Sequence, residues 1–291
     1  MGKMRLRLVP LRFVLLLGIL LVSAGISGAE DKATGVTVPD VSALLREVEA
    51  HQRRIDRVRE DYTFLETSRV EDVDGNGKVK KVTTEVHEVF FVNGHPIRRA
   101  IKKDGKELNT DEQKKEQDRV NKEVEKAMKT APGDPLNGDA ISVHRLLEII
   151  AIHNPRRVMY KDRATIAFDF VGDRHAKTHG MTEDISKKLS GTVWIDEKDR
   201  EVARMEARID DNFKIGGGLL ASVQKGSSFT FDQGLVNQEL WLPTGGDVRI
   251  TARILVLKGI RQNIHFQNDR YQKFHADAQQ QTGVTVVQPA K

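Results

Sequence analysis

Two histidines, His175 and His179, stand four residues apart, the spacing that sets two imidazoles on one face of a helix and could hold zinc. Gly172, Asp173 and Gly180 around them predict a loop instead. With neither an adjacent glutamate base nor a third ligand, the pair reads as two exposed histidines and no metal is expected. Asp72-Val73-Asp74-Gly75-Asn76-Gly77 copies the opening of a calcium loop, but its twelfth position is Thr83, where a bidentate glutamate is required, and a hairpin turn is expected. Gly216-Gly217-Gly218-Leu219-Leu220-Ala221 fits a dinucleotide fingerprint by letter only, because the strand-turn-helix setting and the downstream ribose acid are missing. It reads as a turn or a strand bend. No Gly-x-Ser-x-Gly elbow, P-loop or His-Glu-x-x-His motif occurs, and there is no cysteine for thiolate chemistry, disulfides or lipid attachment. The reading is a protein with no catalytic residues and no cofactor, not an enzyme.

The elements around these residues are more telling. In Glu201–Ile209, Ala203, Met205, Ala207 and Ile209 alternate with Val202, Arg204, Glu206 and Arg208, the period of a half-buried strand. Val248–Val256 repeats the pattern, with Val248, Ile250, Ala252, Ile254 and Val256 on one side, and Phe229 and Phe231 begin it again. One apolar face per strand and short polar connectors predict an antiparallel sheet. Upstream, strands are expected over Tyr62–Glu71, Lys78–Glu85, Val86–Asn93 and Pro96–Lys103, and later over Arg156–Tyr160 and Thr165–Val171. Val41, Leu44, Leu45, Val48, Ile55 and Val58 predict a helix that lays one stripe on this sheet. Asp111–Lys129 predicts a charged helix with few apolar positions, solvated and held by salt bridges or serving as a lid or partner-binding arm. A short buried helix is expected from Ile141 to Ile152, and a polar loop over Gly172–Ser186.

The first residues have a basic start (Lys3, Arg5, Arg7, Arg12), an apolar core from Phe13 to Val22 and a small-residue exit at Ser27-Gly28-Ala29, the layout of a signal peptide cut after Ala29. Its four cations carry most of the net charge of +5. The remainder is close to neutral, with no basic surface for nucleic acid. The expected organisation is a leader over 1–29, a loose segment over 30–38, a single domain over 39–275 with a charged helical insertion at about 104–135, and a tail over 276–291. A periplasmic location is expected.

Four phrases then carry a family resemblance: Tyr62-Thr63-Phe64-Leu65-Glu66 after a helix, the hairpin through Val92-Asn93-Gly94-His95-Pro96-Ile97-Arg98-Arg99, Gly191-Thr192-Val193-Trp194-Ile195-Asp196, and Trp241-Leu242-Pro243. Over roughly residues 40–274 the chain resembles the LolA/LolB-like bacterial lipoprotein-sorting proteins. The resemblance implies an α+β fold, a curved antiparallel half-open barrel with helices on its concave side, that holds lipid acyl chains or lipidated proteins without catalysis. Without a lipidated cysteine, the chain resembles the soluble carrier more than the anchored acceptor. Trp194, Met205, Phe229, Phe231, Ile250 and Phe266 are the expected lining of the concave face. The alternative is an envelope sensor or scaffold that binds a protein partner through the charged 104–130 helix.

Overall fold

The computed structural model describes residues 40–132, 136, 148–215, 220–254 and 258–274. The leader, the 30–38 segment, Ile141–Leu147, Gly216–Gly218 and the tail beyond 275 lie outside them. Helix α1 (Val41–Arg59) comes first and is followed by β1 (Tyr62–Val73), β2 (Val79–Val92), β3 (His95–Lys103) and β4 (Lys106–Glu107). After α2 (Thr110–Lys129) come β5 (Ile150–Tyr160), β6 (Arg163–Gly172) and the short α3 (Gly180–Ser186). The chain then continues as β7 (Leu189–Asp196), β8 (Val202–Ile209), β9 (Phe213–Ile215), β10 (Ala221–Val223), β11 (Ser228–Val236), β12 (Leu240–Ile254) and β13 (Lys258–Lys273).

These strands make one sheet in the order β4-β3-β2-β1-β13-β12-β11-β8-β7-β6-β5, with β9 and β10 attached beside β12. Every neighbouring pair is antiparallel, and the sheet does not close. The curved, half-open α+β architecture expected from the sequence is the one observed. Turn chemistry sets the hairpins: Asp74 Oδ1 accepts from the Asn76 and Lys78 amides at 2.9 and 3.0 Å, and Gly77 has φ +84°. The calcium-like residues thus form the β1–β2 turn.

Three local expectations change. Lys78–Glu85 and Val86–Asn93 form one strand, because nothing at Glu85-Val86 turns the chain, and β2 absorbs only a register shift against β3 at Val86/His87. Ile150 and Ile152 belong to β5, paired with Gly172 and Phe170, so the end of the expected buried helix is strand, in keeping with β-branched residues on a pleated surface. The expected polar loop contains α3, whose Ile185 is buried in the core.

The core is one-sided. Val41, Leu44, Leu45 and Val48 of α1 join Phe168, Val193, Ile195, Val202, Met205, Phe231, Val248 and Phe266 in one buried cluster. We call this side of the sheet the inner face.

Helix α2 lies against the opposite face of β2 and β3, where Val120 and Ala127 pack with Ile97, Phe90 and Val92. Asn109 opens it with a full capping box: its side chain accepts from the Glu112 amide at 3.0 Å, and Glu112 accepts in return from the Asn109 amide at 3.2 Å. Charged groups dock it. Glu116 Oε1 accepts from the Ala100 amide at 2.8 Å, and the Arg119 guanidinium donates to the Arg98 carbonyl and, at 2.9 Å, to Glu116. Burial works to raise the Glu116 pKa, but the hydrogen bonds from Arg119 and Ala100 outweigh it and hold the carboxyl below its usual range. Two polar groups of the β3 backbone are thus satisfied by a helix.

Candidate functional site

Strand register lines up the inner face. One row crosses β6, β7, β8, β11, β12, β13 and β1 as Phe168, Val193, Met205, Phe231, Gly246, Phe266 and Ser68. The neighbouring row runs Phe170, Gly191, Ala207, Phe229, Val248, Ile264 and Val70. Cross-strand partners share a face, so both rows are apolar from β6 to β13. Five of the six expected lining residues are brought together here: Met205, Phe229, Phe231 and Phe266 are buried in the cluster and Ile250 packs against it.

Trp194 is placed elsewhere. Its neighbours Val193 and Ile195 take the inner positions, which turns the indole to the outer face beside Ala167 and Arg204. There it lies 6.4 Å from the Tyr160 ring, and the Arg204 guanidinium sits 5.9 Å from both rings while bonding Asp232 at 2.7 and 2.9 Å. Trp241, from the other tryptophan phrase, donates to Asp199 at 2.9 Å beneath Arg163, which also bonds Asp196 at 2.9 Å. The two phrases therefore meet, at the turn after β7.

At β1 the inner face changes character. Glu66 pairs across the strands with Asn268 on one side and His87 on the other, and Ser68 follows two residues along. Glu66 and Ser68 are each 1% exposed, Asn268 6%. Arg98 closes on Glu66 as a fork, its Nε and Nη2 donating at 3.0 and 3.2 Å. Three buried atoms beside this pair have no hydrogen-bond partner: Ser68 Oγ, His87 Nδ1 and Asn268 Oδ1. This polar island escaped sequence reasoning. Its signal was present in β1, where the inward phase that begins Tyr62, Phe64 continues with Glu66 and Ser68.

Burial pushes the His87 pKa below its ordinary 6.5, although Glu66, Glu85 and Glu116 favour the charged ring and Arg98 opposes it. The folded state therefore prefers neutral His87. Its contribution to stability is complete above the unfolded value of 6.5 and is lost as pH falls below it toward the folded value. Melting temperature measured from pH 8 to pH 5 is expected to fall more steeply in the wild type than in His87→Gln. Parallel curves would contradict this.

Residues His175 and His179 do not converge on a site. His179 is extended and its amide donates to Glu183 Oε2 at 2.7 Å at the start of α3, while the His175 amide donates to Asp173 at 2.8 Å. Among the described residues, no group of three or more histidine, aspartate or glutamate side chains is placed to hold a metal ion.

No family model matches the sequence, and no curated protein matches it. Among solved structures, the chain is similar to one described as an outer membrane lipoprotein-sorting protein domain from Vibrio parahaemolyticus, at 8% identity and TM-score 0.29 over 80% of this chain and 93% of that one. It is also similar to a LolA superfamily protein from Nitrosomonas europaea, at 11% identity and TM-score 0.23 over 78% and 93%. A third is the MucA/MucB complex of Pseudomonas aeruginosa, at 8% identity and TM-score 0.22 over 79% and 100%. The functional reading rests on the inner face itself.

A separate surface pocket of about 430 Å³ opens near α3 and β9, lined among others by Asp184, Lys187, Lys188 and Lys214. Two of its lysines are already engaged, Lys188 with the Asn212 carbonyl at 2.6 Å and Lys187 with Asp184 at 3.9 Å. No helix among the described residues is long and apolar enough to cross a membrane.

Proposed function

We propose that this chain is a soluble periplasmic carrier or binder of lipids or lipidated proteins, acting by apolar contact and without catalytic chemistry. The observation that supports this reading is the width of the inner face. Its apolar rows span β6 to β13, and at about 4.8 Å per strand that is roughly 25 Å. Helix α1, about 10 Å across, is narrower than this face, and Ile185 of α3 joins it in the buried cluster. An apolar face of this width, closed over by short elements, could part to admit apolar chains. Acyl chains suit it: each buried methylene contributes about 0.8 kcal/mol, so about a dozen supply roughly 10 kcal/mol before ordering costs. Little side-chain specificity is required, which is why the sequence carries no motif for it.

The test is native mass spectrometry and lipid extraction of the full chain purified from a bacterial envelope. Acyl species should co-purify in stoichiometric amount. Protein that is lipid-free, and that takes up no acyl probe when mixed with one, would remove the proposal.

A further inference from the structure

Resting on the carrier reading, we propose that the island of Ser68, His87 and Asn268 is a head-group subsite that takes an uncharged hydrogen-bond donor, a hydroxyl or an amide N–H, at the end of an acyl chain. It stands in register with the apolar rows: Ser68 is the next residue after Phe266 in the same row, and Asn268 lies two residues beyond Phe266 on β13. An acyl chain running along Phe231 and Phe266 would deliver its head to this point.

The chemistry of the atoms selects the ligand. Asn268 spends its amide donor on the Pro243 carbonyl at 3.0 Å, which leaves Oδ1, an acceptor, without a partner. His87 turns Nε2 toward the Glu85 carboxylate at 3.8 Å, a neighbour that favours the proton on Nε2, and with that tautomer the unpartnered Nδ1 is a second acceptor. Ser68 Oγ, also unpartnered and 1% exposed, can accept or donate. Two acceptors and one adaptable hydroxyl call for donors. They do not suit an anionic head: Arg98, the cation of the island, is already bound to Glu66 by two hydrogen bonds, and Glu85 adds negative charge. Burial without a partner costs each of these groups stability, a cost that a donor ligand would offset.

Two sources share this chemistry, the hydroxyls of a glycerol-type lipid and the amide N–H of an acylated peptide. The experiment compares three probes with the same palmitoyl chain on the full-length protein: 1-monopalmitoylglycerol, N-palmitoylglycinamide and methyl palmitate, which has no donor. At least one donor probe should bind tenfold or more tightly than methyl palmitate, and the one preferred identifies the source. In Ser68→Ala and His87→Phe that preference should shrink at least threefold while methyl palmitate affinity stays the same. Ser68→Ala should melt at or above the wild-type temperature, because it deletes a buried hydroxyl that has no partner. Equal affinity of wild type for all three probes would overturn the subsite and leave the carrier reading standing, and so would variants that keep the full preference. Binding of none of the three would overturn both.

Discussion

Replacing Arg98 with methionine is expected to destabilise the protein by about 3–5 kcal/mol, the cost of stranding one partner of a buried ion pair. The asymmetry of the pair makes the forecast specific. The Glu66 side chain is 2% exposed and that of Arg98 20%. Without Arg98, a carboxylate remains on the inner face among groups that donate nothing to it. Without Glu66, in Glu66→Leu, the guanidinium can still swing toward water, so the loss should be smaller. The double variant Glu66→Leu/Arg98→Met should recover most of the stability lost in Arg98→Met, because apolar replacements of a buried pair are often neutral. Urea denaturation of the two single variants and the double decides it. Equal losses in the single variants, or additive losses in the double, would contradict the picture.

Alanine at Gly246 is the second large effect expected, on the order of 4 kcal/mol or more and so at the severe end for one substitution. Gly246 sits in the middle of the central apolar row, between Phe231 and Phe266. A Cβ there would stand 2.2 Å from the Thr230 carbonyl oxygen and 2.7 Å from the Phe266 ring. The ring can tilt. The carbonyl belongs to β11, held between β8 and β12, and cannot move without opening a ladder. Combining Gly246→Ala with Phe266→Leu should therefore leave most of the loss in place. A Gly246→Ala protein that unfolds within a few tenths molar urea of wild type would rule out this close approach.

Much of the architecture was legible because one buried face imprints its period on the chain. Met205, Ala207 and Ile209 face inward as their spacing said, and so do Val41, Leu44, Leu45 and Val48 on α1, whereas a register shift at Trp194/Ile195 sets Val202, not Ala203, opposite Ile195 in the core. Legibility fails where that imprint is lost. Thr192 to Ile195 is apolar on both phases around Trp194, and only pairing with Phe168 and Met205 assigns the inner positions to Val193 and its phase. In β1, Leu65 blurs the alternation just where Glu66 and Ser68 take inward places. The rest of the island comes from β2, β3 and β13, strands that register alone brings together. The α2 helix was readable as a charged helix. Its docking was not, since Glu116 and Arg119 bind backbone groups that no side-chain pattern announces.

The attachment of α2 bears on how this sheet meets copies of itself. An open antiparallel sheet has two rims, and molecules that join rim to opposite rim can add without limit into a fibre. Glu116 and Arg119 occupy the Ala100 amide and the Arg98 carbonyl, the hydrogen-bonding sites a visiting strand would need along β3. With that rim stoppered, head-to-tail growth from β5 onto β3 is blocked. Any strand pairing left to β5 is with its own twin, which closes after two copies.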